Sequence, residues 1–223
     1  MSATANTIAN DRVSISLGED GVFYLVYAAP QNVPGVGRLT PYDILRYDPG
    51  NPDWGTPPEW SLVFDGSQVG LTTAGERIDA LTTATEYWTG NSVYYLSTTG
   101  QARVPFGVGQ LMLANNDLFH YTGALENGVM TGSYDVDTVG TPFGLGRANV
   151  IGMDKDEQNL YLTFDRALKL GGVALDRGDI ANCHPESWYD PVCSEVDKLF
   201  DASAVGLRGY RIDAFEVGPY ETP

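Results

Sequence analysis

The chain is poor in cations, histidine, cysteine and long apolar runs, and each shortage removes a class of function. Lys and Arg total 13 against 29 Asp and Glu, a formal charge of -16, so nucleic-acid phosphates and anionic lipid surfaces are repelled. No apolar run approaches the roughly 18 residues of a membrane helix, so no insertion into a bilayer is expected. With two histidines and no His-Glu-x-x-His, Gly-x-Ser-x-Gly or Gly-x-x-x-x-Gly-Lys run, the common metalloprotease, serine-hydrolase and nucleotide motifs are missing. The opening Met1-Ser2-Ala3-Thr4-Ala5-Asn6-Thr7 has neither the basic start nor the apolar stretch of a secretory leader.

Two cysteines are present, Cys183 and Cys193. They bracket His184-Pro185-Glu186-Ser187-Trp188-Tyr189-Asp190-Pro191-Val192, a run rich in turn formers. A disulfide closing that loop fits an oxidising compartment, and a pair of unlinked thiols is the alternative. Zinc is disfavoured, since His184 and two thiolates leave a fourth ligand to be found elsewhere.

What is abundant is repetition. Phe64-Asp65-Gly66-Ser67-Gln68-Val69-Gly70-Leu71 returns as Phe200-Asp201-Ala202-Ser203-Ala204-Val205-Gly206-Leu207, and Tyr134-Asp135-Val136-Asp137-Thr138-Val139-Gly140 reads as a third copy between them. A period of about 66 to 70 residues marks a tandem repeat. The chain divides into repeats at about 11-71, 72-140 and 141-207, followed by a segment 208-223, all within a single domain.

Each repeat carries four strand-like segments, A to D. Segment A is Arg12 to Leu17, Arg77 to Leu81 and Asn149 to Met153, with a fourth copy, Arg211 to Phe215, left over at the end. Segment B (Val22 to Tyr27, Val93 to Thr98, Leu160 to Phe164) is aromatic and β-branched, as strands prefer. Gly, Asn and Asp between A and B predict hairpins. Pro/Gly runs such as Val33-Pro34-Gly35-Val36-Gly37 and Val104-Pro105-Phe106-Gly107-Val108-Gly109 then re-aim the chain.

Segment C opens with Asp43, Asp117 or Asp179. Segment D comes after variable insertions: residues 48 to 58, a shorter Gly123 to Gly128 stretch, and the cysteine loop. Ser194 to Phe200 could make a short turn of helix. The fold class expected is therefore all-β: three tandem four-stranded antiparallel repeats, propeller-like, plus one extra C-terminal strand. Propellers close with about four to eight blades, so three require another closed arrangement or association. The spare strand either pairs with a neighbour's edge or closes beside Arg12 to Leu17.

The run Glu76-Arg77-Ile78-Asp79-Ala80-Leu81, with Tyr95-Leu96-Ser97-Thr98-Thr99-Gly100, Asp43-Ile44-Leu45-Arg46-Tyr47 and the Phe64 to Leu71 corner, resembles tandem β-repeat, propeller-like modules of bacterial secreted and surface proteins. The resemblance covers nearly the whole chain. It implies an extracellular, cell-surface or virion setting and no defined chemistry.

Because Asp65, Asp135 and Asp201 recur by register, they are expected to be turn formers at the repeat corner; an active site needs different groups converging once. The best cation candidate is the Asp154, Asp156 and Asn159 turn, which could hold calcium. Trp54 and Trp188, in variable loops, are the candidate binding aromatics for a glycan or protein partner. The expected function is a non-enzymatic structural or adhesive protein working by self-association or contact with another structural protein. The alternatives are a carbohydrate-binding module and a propeller-like glycoside hydrolase.

Overall fold

The computed structural model describes residues 13–17, 21–51, 54–86, 89–138, 144–156, 158–185, 193–215 and 217. Three antiparallel four-stranded sheets succeed one another along the chain, each in the order A-B-C-D. The first is β1 (Val13–Leu17), β2 (Phe23–Tyr27), β5 (Ile44–Asp48) and β6 (Glu59–Phe64). The second is β7 (Ile78–Thr85), β8 (Ser92–Thr98), β11 (Leu118–Glu126) and β12 (Val129–Thr138). The third is β13 (Val150–Lys155), β14 (Leu160–Phe164), β17 (Ile180–Pro185) and β18 (Cys193–Phe200).

The Pro/Gly runs do more than break a strand. Each is the tip of a small two-stranded ribbon between B and C: β3 (Gln31–Val33) with β4 (Gly37–Leu39), β9 (Ala102–Phe106) with β10 (Gly109–Leu113), and β15 (Leu168–Leu170) with β16 (Val173–Leu175). Each ribbon ends in a buried leucine, Leu39, Leu113 or Leu175, which anchors it to its own repeat.

Two other expectations are corrected. Ser194 to Phe200 lies within strand β18, where it pairs with β17; its alternation buries Val196 between exposed Glu195 and Asp197, a period-2 pattern that a helix would not use. The Gly123 to Gly128 stretch is no loop either. β11 and β12 run on to a two-residue turn at Asn127 and Gly128, with φ of 52° and 79°. Positive φ at both central residues is the hairpin turn whose twist suits the flanking strands.

In all three sheets the last strand bulges at the same place. Ile44 pairs with Phe64 and Leu45 with Leu62; Leu118 pairs with Thr138 and Phe119 with Val136; Ile180 pairs with Phe200 and Ala181 with Lys198. Val63, Asp137 and Leu199 are thus the extra residues, and such bulges bend a strand as it leaves its sheet.

Apolar residues form two main cores. One joins the first and second sheets through Val26, Ile44, Phe64, Val69 and Leu71 on one side and Leu81, Tyr94, Leu96, Phe119 and Tyr121 on the other. The other joins the second and third through Ala80 and Leu118 against Val150, Met153, Leu162 and Phe164. Phe64 stacks on Tyr94 and Tyr121 at centroid distances of 5.5 and 5.3 Å. At the first of these junctions the corner after strand D, with Val69 and Leu71, packs onto the face of the second sheet.

Candidate functional site

The acids at the corners serve the backbone. Asp43 accepts from the N–H groups of Thr40 (2.7 Å) and Gly66 (3.3 Å), and Asp179 from those of Asp176 (2.8 Å) and Ala202 (2.9 Å). Asp117 makes the first of these bonds, to Ala114 at 2.7 Å. Each carboxylate clamps the turn before strand C, and in the first and third repeats the corner after strand D as well. Asp65 and Asp201 likewise match: Oδ1 of each accepts from the N–H and hydroxyl of the serine two residues on, Ser67 and Ser203.

Asp135 does not belong with them. It pairs with His120 within the second sheet, the register position held by Ser61 and Asp197 in the others. Thr138 is the residue that stands where Phe64 and Phe200 stand. The corner it leads into, 139–143, lies outside the described residues, and Tyr134-Asp135 imitates the Phe-Asp motif in sequence alone.

Asp154 and Asp156 serve different partners. Asp154 is buried on β13, where it accepts from Thr82 Oγ1 (3.0 Å) on β7 and from the Val217 N–H (2.8 Å). Burial pushes its pKa up. Asp156 caps the β13–β14 turn, taking donors from Gln158 N, Asn159 N, Asn159 Nδ2 and the Tyr161 hydroxyl. Among the described residues no group of three His, Cys, Asp or Glu side chains is placed to hold a metal ion.

Cys183 and Cys193 are bonded to each other, tying β17 to β18; Trp188 and the rest of 186–192 lie outside the described residues. Trp54 stands at the tip of the first insertion, 86% exposed, on a loop closed by a paired bridge between Asn51 and Thr56. Trp60 instead packs on Tyr47, with centroids 4.4 Å apart.

One polar cluster mixes chemistries: His120 Nδ1 meets Asp137 Oδ1 at 2.9 Å, its ring lies 5.4 Å from that of Tyr95, and Lys155 Nζ lies 2.8 Å from the Tyr95 hydroxyl and 4.2 Å from the ring centroid. These groups come from β11, β12, β8 and β13, so the cluster rivets the second sheet to the third. Burial alone would lower the His120 pKa, but the hydrogen bond and charge of Asp137 outweigh it and raise it.

The feature that single-residue reasoning missed is the unequal fate of equivalent apolar positions. In the first corner Val69 and Leu71 are 8% and 0% exposed beneath the second sheet; their counterparts Val205 and Leu207 are 59% and 43% exposed. The opposite end shows the complement. Ile15 pairs with Leu25 as Leu81 pairs with Leu96, and Phe23 with Tyr47 as Tyr94 with Tyr121. Yet Ile15 and Phe23 are 39% and 38% exposed where Leu81 and Tyr94 are 1% and 2%. Fully burying one such side chain is worth about 1.5 to 3 kcal/mol, so the exposed fractions leave about 1 to 3 kcal/mol unclaimed at each end. The two corners are nearly identical in sequence, so the residues alone do not separate the buried one from the exposed one.

Beside the third corner lies a groove of about 560 Å³, lined by Asp176, Asp179, Lys198, Ser203 and Arg208 among others. Lys198 spans Asp179 (2.8 Å) and Asp201 (3.5 Å), and the hydrogen bond from Lys198 to Asp179 raises the lysine's pKa.

The segment after this corner completes a series. Ser16 Oγ on β1 meets Thr83 Oγ1 on β7 at 3.4 Å, Thr82 on β7 donates to Asp154 on β13, and Val217 donates to the same carboxylate from beyond. Thr163 Oγ1 also donates to the Ile212 carbonyl at 2.8 Å. Arg211 to Phe215 thus lies beside the third sheet as a further inner segment. It joins no ladder and does not pair with β1.

Comparison with protein-family models finds no match, and neither curated proteins nor solved structures match the chain.

Proposed function

We propose that the protein is a non-enzymatic structural β-repeat module that acts through self-association or contact with another structural protein, in an extracellular, cell-surface or virion assembly. What supports the reading is the exposed third corner, whose sequence repeats a corner that is buried beneath a neighbouring sheet inside the chain. The disulfide is compatible with an oxidising compartment. The equivalent carboxylates Asp43 and Asp179 have oxygens occupied by backbone donors.

The test is the mass in solution by light scattering over a hundredfold range of concentration. Growth of mass with concentration is the expected result; a monomer throughout, or turnover of glycosidic substrates, would overturn the reading. A second reading, glycan binding, is favoured by the exposure of Trp54 alone, and loss of glycan-array signal on Trp54→Ala would be its mark.

A further inference from the structure

We infer that the two unequal ends are halves of one head-to-tail junction: the third corner of one copy seats on the first sheet of a second copy, reproducing the contact between the first and second sheets. This rests on the self-association proposed above and names the surfaces that carry it. Each surface has a sister within the chain, and both sisters are buried against each other. Val69, Leu71 and Phe64 cover Leu81, Tyr94 and Tyr121 in one core; Val205, Leu207 and Phe200 are the same residues of the motif, or nearly so, and Ile15, Phe23 and Tyr47 hold the same register on the receiving face. Phe23 and Tyr47 already form a ring pair, with centroids 6.4 Å apart, ready to take Phe200 as Tyr94 and Tyr121 take Phe64.

Charge does not oppose the contact at this end. On a chain of -16, the third corner gathers Lys198, Arg208 and Arg211 against Asp179, Asp201, Asp176 and Asp213, so most of its acidic charge is offset. An acidic copy approaches it with less repulsion than it would meet elsewhere.

Arg211 to Phe215 occupies the inner position beside β13, which in an internal junction belongs to the A strand of the incoming sheet. The segment carries that strand's pattern, Arg-Ile-Asp-Ala, as in Arg77 to Ala80. In the junction it stays between the third sheet and the incoming first sheet, whose Ile15 and Leu17 are exposed to receive it. The result is a heterologous contact, which grows into a ring or a fibre according to the rotation at each step.

The chain has no free cysteine, so single thiols report the junction cleanly. Chains carrying Val205→Cys and Phe23→Cys, both exposed positions, are mixed in equal amounts and treated with a short flexible bis-maleimide. Cross-linked dimer in the mixture, and in neither chain alone, is the expected result. Val205→Glu with Leu207→Glu is expected to raise the concentration for half-association by roughly tenfold or more. A chain ending at Leu207 is expected to associate as poorly, and undiminished association by it would refute the place given to Arg211 to Phe215 in the junction. Concentration-dependent mass without the cross-link overturns this junction while leaving self-association standing; a monomer at every concentration overturns both.

Discussion

Ala202 packs directly against Gly178: a Cβ on Gly178 would come within 2.9 Å of the Ala202 Cβ and 2.6 Å of the Tyr210 carbonyl. In the first repeat the pair is reversed, with Gly66 at the corner and Tyr42 before the aspartate, and a Cβ on Gly66 would meet the Tyr42 carbonyl at 2.3 Å and its Cβ at 2.7 Å. One glycine on either side admits the close approach that the clamping aspartate requires. Gly66→Ala and Gly178→Ala should each destabilise by about 1 to 3 kcal/mol in urea unfolding. Pairing Gly66→Ala with Tyr42→Gly should give a favourable coupling energy, and strict additivity would show that the corners are not interchangeable.

Glu76 is the carboxylate that fastens the first corner to the second repeat. It accepts from the N–H groups of Thr72 (2.7 Å), Thr73 (2.6 Å) and Arg103 (3.1 Å). Burial alone would raise its pKa, yet these donors outweigh it and hold the value below the ordinary one. Its contribution is therefore present above the unfolded carboxyl value and lost as pH falls through the folded one. Glu76→Gln should cost about 2 kcal/mol at neutral pH and less in acid, measured as the shift in urea midpoint.

Asp79 and His120 act in the opposite direction. Burial pushes Asp79 up to about 8, against the pull of Asn149 and Arg211. The folded chain then holds a proton that the unfolded chain releases near pH 4, so stability falls as pH rises from there towards 8. His120, raised by Asp137, contributes fully below about 6.5 and loses its share above its folded value. Asp79→Asn should raise the melting temperature at pH 8 relative to the parent, and His120→Gln should flatten the fall above pH 6.5. Unchanged pH profiles in both variants would contradict the assignment.

Removing the Cys183–Cys193 bond frees a short loop between β17 and β18. By loop-closure entropy the loss is about 2 to 3 kcal/mol. Urea unfolding with and without reductant should show that difference, and Cys183→Ala with Cys193→Ala should abolish it.

Deleting residues 208 to 223 takes the Val217 donor from Asp154 and the Ile212 carbonyl from Thr163. Each group then loses a protein hydrogen bond that water replaces only in part, a loss of about 1 kcal/mol each. Equal melting temperatures for the full and shortened chains would show that the segment is not held there.

Strands A, B and C are legible in the sequence because alternation and β-branched or aromatic content coincide in them; even the third C strand, with its plain Ile180-Ala181-Asn182, forms where Asp179 places it. The ribbons are not, because β3, β4, β15 and β16 have three residues each, too few to show a period. The second corner escapes its motif since Thr138 stands where Phe64 and Phe200 stand, and Tyr134-Asp135 mimics the Phe-Asp pair. Of the site, Trp54 announces itself as a loop aromatic. The open ends do not, because Val69 and Val205 are the same residue in the same motif, and only the presence or absence of a neighbouring sheet separates them.

The two cores meet in the middle sheet, which gives Leu81, Tyr94 and Phe119 to one and Ala80 and Leu118 to the other. Either outer sheet can loosen while the centre keeps half its packing, so slow amide exchange should concentrate in β7, β8 and β11 and fade towards both ends. The molecule is thereby most forgiving of damage at the margins and least so at Thr82, whose hydroxyl reaches Asp154 across the inner junction.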